Sequence, residues 1–304
     1  MRKAEDEFRL ALEEAGLVPP LVILADGKIH RCDVDGKRGK RGGSYQLFPD
    51  LYGGGFQNWT AGGWVKWRSK QREMSPDERR AMVAFIAHTN AKRAAEREAL
   101  ALAAREKAAR MWDAAKEGAH PYLHKKGICA NGTRVLGKLL LIPVRDVDGV
   151  LRSLQTVTPD GTKRFLRGGV IEGCFTWLRR GEETKPRVYI CEGLATGTTI
   201  HAATGGRPVS VAFSCGNLMP VAKLLRKHLP AGKFTVCADN DQATEGNPGV
   251  RHATSAATEI GARLAIPRGM TGTDFNDLMA ERGLDWVTEQ LAAATAPKKG
   301  DHGY

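Results

Sequence analysis

Two short apolar runs in this chain end in acid. Val188-Tyr189-Ile190-Cys191 leads into Glu192-Gly193, and Phe234-Thr235-Val236-Cys237-Ala238 leads into Asp239-Asn240-Asp241. A strand buried on both faces reads this way, and its carboxylates then emerge at the C-terminal edge of a parallel sheet. Open α/β sheets place their ligands at that edge. Asp239 and Asp241 are two residues apart and project to the same side in extended chain. If the two strands are neighbours, Glu192 joins them. Three gathered carboxylates repel one another unless a cation lies between them. All-oxygen ligation points to Mg2+ or Mn2+ rather than zinc. Such an ion orients a triphosphate or phosphodiester, activates an attacking 3′-hydroxyl and neutralises leaving pyrophosphate. Glu192 is also placed for direct proton transfer. The plainer alternative makes Glu192 a helix cap and Asp239-Asn240-Asp241 an ordinary polar loop.

The elements that must position these residues follow from pattern. From Arg187 onward, strands are predicted at 188–191, 208–212, 234–238 and 263–266, with helices at 194–203, 218–229 and 249–261. That alternation implies an α/β fold, a parallel sheet with crossover helices. A final helix is predicted over 274–293, and a disordered tail over 295–304. Residues 139–177 are β-like, with turns at Asp148-Gly149 and Pro159-Asp160-Gly161. Ser75-Pro76-Asp77-Glu78 starts a helix, Ser75 and Glu78 forming a capping box, that runs to about Gly118. Ala, Arg, Glu and Lys dominate it, which leaves little core face and suggests a connector. A short N-terminal helix is predicted to stop at Gly16 and Pro19-Pro20. Residues 21–70, with turns at Asp26-Gly27 and Asp35-Gly36, read as a small antiparallel β unit whose basic tip carries Lys37, Arg38, Lys40 and Arg41. Tip and nearby aromatics suit single-stranded nucleic acid, through phosphate contact and base stacking. Trp59, Trp64 and Trp67 have a second possible role as sheet core, expected for at least some of them.

The 304 residues have room for about two domains. The formal charge of +12 and pI near 9.5 favour a polyanionic partner. There is no run of about 18 apolar residues, so no membrane span is expected. The N-terminus is charged and lacks a signal-peptide core, so the expected location is the cytoplasm. Six cysteines, none in a C-x-x-C pair, read as reduced thiols. His30 and Cys32 are two potential zinc ligands, but the second pair at finger spacing is missing, which argues against zinc. There is no G-x-x-x-x-G-K-[ST] loop, no H-E-x-x-H and no G-x-S-x-G elbow.

Cys191-Glu192-Gly193 followed by Ala238-Asp239-Asn240-Asp241, in this strand–helix order, resembles the Toprim domain over about residues 187–280. Bacterial-type primases, topoisomerases and some nucleases share that fold. The resemblance implies catalytic or metal-binding roles for Glu192, Asp239 and Asp241. Gly272-Thr273-Asp274-Phe275-Asn276-Asp277-Leu278 resembles the motif that follows the sheet in phage and plasmid primases. It implies that Asp274, and with it Asp277, joins the metal site or positions nucleotide, unless Asp274 simply caps the last helix, and both roles are compatible. Lys138 to Gly149, Arg152 and Thr162-Lys163-Arg164-Phe165 are similar to the basic first half of the bacterial primase core. Lys138, Arg152, Lys163 and Arg164 are thereby expected to hold template or nucleotide phosphates. The alternative for Lys138 and Lys163 is solvated charge on strand edges. The segment His30 to Trp67 resembles the nucleic-acid-binding region of such primases, zinc-ribbon-like but without the full ligand set.

The expected organisation is a β-rich nucleic-acid-binding module over 1–72, a helical linker over 73–118, a basic α+β primase subdomain over 119–186 and a Toprim domain over 187–294. The expected function is a phage- or plasmid-type DNA primase making short RNA primers. Its partners would be single-stranded DNA template, ribonucleoside triphosphates and a replicative helicase, in the bacterial cytoplasm. Two rivals stay open: a Toprim nuclease, and a non-enzymatic single-strand-binding accessory protein. The first needs template cleavage without triphosphate. The second needs activity that survives loss of Asp239 and Asp241.

Overall fold

The computed structural model describes residues 2–36, 39–59, 61–69, 75–178 and 187–297. The chain divides into two compact units, Met1–Ala95 and Glu96–Tyr304.

The first unit packs one helix on a five-stranded antiparallel meander. Helix α1 (Arg2–Glu14) places Ala4, Phe8 and Leu12 at four-residue spacing on one buried stripe. It ends at Gly16, whose φ of 69° is the left-handed conformation that stops helices. The chain then forms β1 (Leu17–Val18) between the Gly16 stop and Pro19-Pro20, where pairing with β2 (His30–Val34) takes over. Strands β3 (Gly43–Leu47), β4 (Gly53–Asn58) and β5 (Val65–Arg68) complete the sheet. Phe8 is fully buried and meets Tyr45, Phe56 and Trp67 at 6.1, 6.2 and 4.8 Å between centroids. Trp67 therefore belongs to the core, whereas Trp59 and Trp64 are 46% and 39% exposed. Phe8→Ala should destabilise this unit by about 3–5 kcal/mol, the usual range for emptying a buried phenyl site. Chemical denaturation reads the change, and a loss below about 1 kcal/mol would contradict this packing.

Helix α2 (Pro76–Ala114) begins at the predicted proline and passes from the first unit into the second. The side chain of Glu78, expected in the capping box, lies outside the described residues. The C-terminal half of α2 is less of a bare connector than its composition predicts. Ala104 and Ala108 are buried, and Ala108 packs with Leu141 and Leu154. Alanines make a narrow core stripe that charge content conceals.

The second unit holds two sheets. One is antiparallel, in the order β6 (Arg134–Leu136), β7 (Leu139–Arg145), β8 (Leu151–Val157), β9 (Lys163–Phe165). The other has β10 (Thr176–Leu178), β11 (Arg187–Cys191), β12 (Val209–Val211), β13 (Lys233–Cys237) and β14 (Arg263–Ala265) in the order β10-β12-β11-β13-β14. Its last four strands are parallel, and β10 is an antiparallel edge. The β-like pattern of 139–177 thus spans both sheets. Helix α3 (Pro121–Lys126) and strand β6 are short elements that the pattern did not single out.

Helices cover both faces of the second sheet. Tyr189 and Cys191 face the core shared with α4 (Leu194–Ala203), α7 (Phe275–Arg282) and α8 (Leu284–Ala292). Val188 and Ile190 face α5 (Cys215–His228) and α6 (Pro248–Glu259). Period-two alternation in a fully apolar strand gives each face its own partners. Two boundaries differ from pattern. Helix α5 starts at Cys215, upstream of the predicted 218, and carries Pro220 inside. The predicted last helix is two helices, broken at Gly283 with φ 88°.

Candidate active site

Strands β11 and β13 are parallel neighbours, with Ile190 opposite Val236. Glu192 leaves the first and Asp239 the second, so both acids emerge on the same edge of the sheet. Asp241 follows in the loop. Asp274 arrives from the N-terminus of α7, where its Oδ1 accepts from Asn276 N at 2.7 Å and Asp277 N at 2.9 Å. It caps the helix and also adds negative charge at Glu192 and Asp239.

The electrostatics are those of crowded, buried acids. Burial pushes the Asp239 carboxyl up to about 8, and Glu192, Asp274 and Asp241 push in the same direction. Burial also raises Glu192, with Asp241 and Asp274 adding repulsion. Lys163 opposes both shifts but does not cancel them. Asp239 Oδ1 is sealed from solvent and has no hydrogen-bond partner among the protein atoms. A buried carboxylate oxygen with nothing to bond is costly. Among the described residues, no three His, Cys, Asp or Glu side chains are gathered closely enough to ligate one ion. The three sequence-predicted acids therefore share an electrostatic site without forming a closed cage. The oxygen donors, their repulsion and the orphaned Asp239 Oδ1 fit Mg2+ or Mn2+. Mg2+ is commonly held by one or two carboxylates, with waters and substrate phosphates completing its shell.

The acidic loop is held by backbone and amide bonds. Asn240 is buried, its N–H donates to Thr273 O at 2.7 Å, and its Nδ2 donates to Pro267 O at 3.0 Å. Asn247 Nδ2 donates to Asn240 Oδ1 at 2.9 Å. These bonds tie the Asp239–Asp241 loop to the loop that delivers Asp274. Gly249, in the first turn of α6, lies against the same loop. A Cβ there would stand 2.2 Å from Asp239 O and 3.0 Å from Asp241 Oδ2. Buried Asn276 ties α7 to α4 and α3 through bonds from its Nδ2 to Thr199 Oγ1 at 3.1 Å and Lys126 O at 2.9 Å.

The expected basic residues divide. Lys163 is exposed on β9 and electrostatically coupled to Glu192 and Asp239. Leu140 pairs with Val157 and Val157 with Lys163, so Lys138, just before β7, lies at the same end of the sheet. Arg164 is exposed beside Lys163. Arg152 is at the opposite end. Its Nε donates to Asp146 Oδ2 at 2.6 Å, and Asp146 also accepts from Val150 N at 2.8 Å. Arg152 braces the hairpin and is not gathered with Lys138 and Lys163, because the turn acid sits six residues before it. Asp277 has an ion-pair partner, Lys126, at 3.4 Å. Burial works against its ionised form, but the Thr273 N–H and Lys126 outweigh it and hold the carboxyl below its ordinary value. Lys126 and Gly249 carry no sequence signal of a site: one lies in an unremarked helix, the other at the start of the predicted helix 249–261.

In the first unit, Lys40 and Arg41 are exposed, and their turn is fixed by Asp33, whose carboxylate accepts from Gly39 N and Arg41 N at 2.9 Å each. Lys37 and Arg38 lie outside the described residues, as do 298–304 of the expected tail. His30 Nε2 bonds Asp26 Oδ1 at 2.8 Å, and Cys32 sits in the apolar core, where burial pushes its thiol up to about 11.

The family model for the Toprim domain matches residues 187–285, the span that contains Glu192, Asp239, Asp241 and Asp274. This segment is a Toprim domain. Over a longer stretch the chain is 33% identical to a DNA primase TraC of Escherichia coli, across 282 residues that make 86% of this chain and 26% of that protein. A second Escherichia coli DNA primase TraC is 33% identical over 280 residues, 86% of this chain and 19% of the relative. The chain thus spans about a quarter or less of the length of the curated relatives it matches. Among solved structures, the primase fragment of the bacteriophage T7 primase-helicase protein superposes with a TM-score of 0.44 at 16% identity, covering 56% of this chain and 73% of that one. Among the described residues no helix is long and apolar enough to cross a membrane.

Proposed function

We propose that the chain is a DNA primase that synthesises short RNA primers on single-stranded DNA by metal-dependent nucleotidyl transfer. The observation that carries this reading is the Asp239 site: a sealed, unpartnered carboxylate oxygen among mutually repelling acids at the ligand-binding edge of a Toprim sheet. Similarity to DNA primase TraC supports the substrate class.

One or two of Asp239, Glu192, Asp241 and Asp274 would hold Mg2+ or Mn2+ directly, with waters and substrate phosphates completing its shell, and the bound ion would neutralise triphosphate charge and favour attack by a 3′-hydroxyl. Glu192, raised by burial and by Asp241, is suited to take the proton of that hydroxyl. Lys163 faces the same acids and offsets negative charge on the nucleotide. Lys138 and Arg164, at the same sheet end, contact template phosphates, a sequence-independent hold. In the first unit, Lys37, Arg38, Lys40 and Arg41 would contact the phosphates of single-stranded DNA, with exposed Trp59 and Trp64 as stacking surfaces. Zinc has no part in this reading. A replicative helicase is the proposed partner and the bacterial cytoplasm the proposed location.

The test uses single-stranded circular DNA, labelled ribonucleotides and Mg2+ or Mn2+, with products resolved on a denaturing gel. Short labelled strands are expected. A shortened template would replace the primase reading by a nuclease, and intact template without product in either metal would replace it by a strand-binding protein.

A further inference from the structure

Phe213, just past β12, has φ 71°. A bulky side chain adopts this left-handed backbone only where surrounding structure holds it there, and such residues cluster at functional sites. Its N–H donates to Glu192 O at 2.8 Å, which fastens it beside the first acid of the site. Its buried ring meets Phe165 edge to face, with centroids 5.7 Å apart at 85°. Phe165 ends edge strand β9, immediately after Lys163 and Arg164, and is 37% exposed. Lys163 is close enough to Glu192 and Asp239 to counter their raised pKa values. An aromatic ring that is open to solvent thus rests on a second ring fastened to the Glu192 backbone, and shares its edge strand with Lys163 and Arg164. An edge strand gains nothing from an exposed Phe there, since charge serves an edge better.

We propose that Phe165 is a nucleobase platform, held in place by Phe213, on which the base of the nucleotide at the carboxylate site stacks. The inference rests on the nucleotidyl-transfer reading of that site. A triphosphate held between Lys163 and the acids would carry its base one ribose away, and Phe165, two residues along the same strand from Lys163, is the exposed ring there to receive it. Every base offers a π face, so the platform selects nucleobases as a class and leaves the choice of base to template pairing. Phe165 is a binding residue, and Phe213 positions it.

Binding of ATP and of tripolyphosphate to the full chain, each with Mg2+, tests this without requiring turnover. Phe165→Ala should weaken ATP about tenfold, the scale of one lost base–aromatic stack, and leave tripolyphosphate unchanged. Phe165→Trp should restore ATP binding. Phe213→Asn accepts the left-handed backbone but lacks the ring, and should weaken ATP in the same direction. Three results would overturn the platform: Phe165→Ala binds ATP like wild type, it loses ATP and tripolyphosphate alike, or wild type binds ATP no better than tripolyphosphate. A wild type that binds ATP through Phe165 yet makes no primer would instead remove the primase reading and leave the platform standing.

Discussion

Asp239→Asn should melt at higher temperature than wild type at pH 8 without divalent metal, while losing about three orders of magnitude of primer synthesis. In the unfolded chain the Asp239 carboxyl releases its proton near its ordinary 3.8, but the folded site keeps that proton until about pH 8. Between those values unfolding releases a proton. Stability therefore falls as pH rises from about 4 to about 8 and changes no further from this group above that window. Glu192, also raised, acts in the same direction. Asn removes the charge that the site resists, so its advantage grows across the window and is smallest at its acid end. Excess Mg2+ should raise the wild-type melting temperature at pH 8 and have little effect on the variant, since a bound cation replaces the proton. Differential scanning fluorimetry at pH 5 and pH 8, with and without Mg2+, reads all four corners. A wild type whose metal-free stability is flat or rising across this range would contradict the buried acid site. The activity loss corresponds to roughly 4 kcal/mol of transition-state stabilisation, within the several kcal/mol expected from a metal-centred site.

Gly249→Ala should nearly abolish primer synthesis although position 249 carries no reactive group. Its new Cβ would stand 2.2 Å from Asp239 O, which is backbone and cannot swing aside. Either α6 retreats or the Asp239–Asp241 loop moves, and a shift of about 1 Å at a reacting centre is enough for a hundredfold loss. The overpacking should also cost about 1–3 kcal/mol of stability. Gly246→Ala is the paired control: nothing lies within 4 Å of a Cβ there, so its penalty is limited to its left-handed φ of 71°. Equal activity in the two variants would contradict the close approach at Gly249.

The Toprim sheet is legible in the sequence because its parallel strands are short apolar runs, and each of those four precedes a helix. The positions of Glu192 and Asp239 follow from that pattern once their strands are neighbours, which β11 and β13 are. What hides is what tertiary contact alone decides. Arg152 looks like a free cation in a basic stretch, yet the Asp146 turn engages it. Gly249 reads as the first residue of a helix, and its need for a missing Cβ exists only against the folded acidic loop. The break at Gly283 is hidden because α7 and α8 are one residue apart and Phe275, Leu278, Val287 and Leu291 all enter the same core. The buried alanine stripe of α2 is lost among charges for the opposite reason: Ala contributes little to any pattern, but it lets Leu141 and Leu154 approach.

The most direct measurement compares wild type with the Asp239→Ala/Asp241→Ala double variant in template-directed ribonucleotide incorporation, with single-strand DNA binding measured on the same preparations. Labelled primers from wild type, none from the variant, and equal DNA binding by both are the predicted result, because the cationic residues are untouched. Primer synthesis that survives in the double variant would contradict the assignment of the chemistry to this carboxylate site.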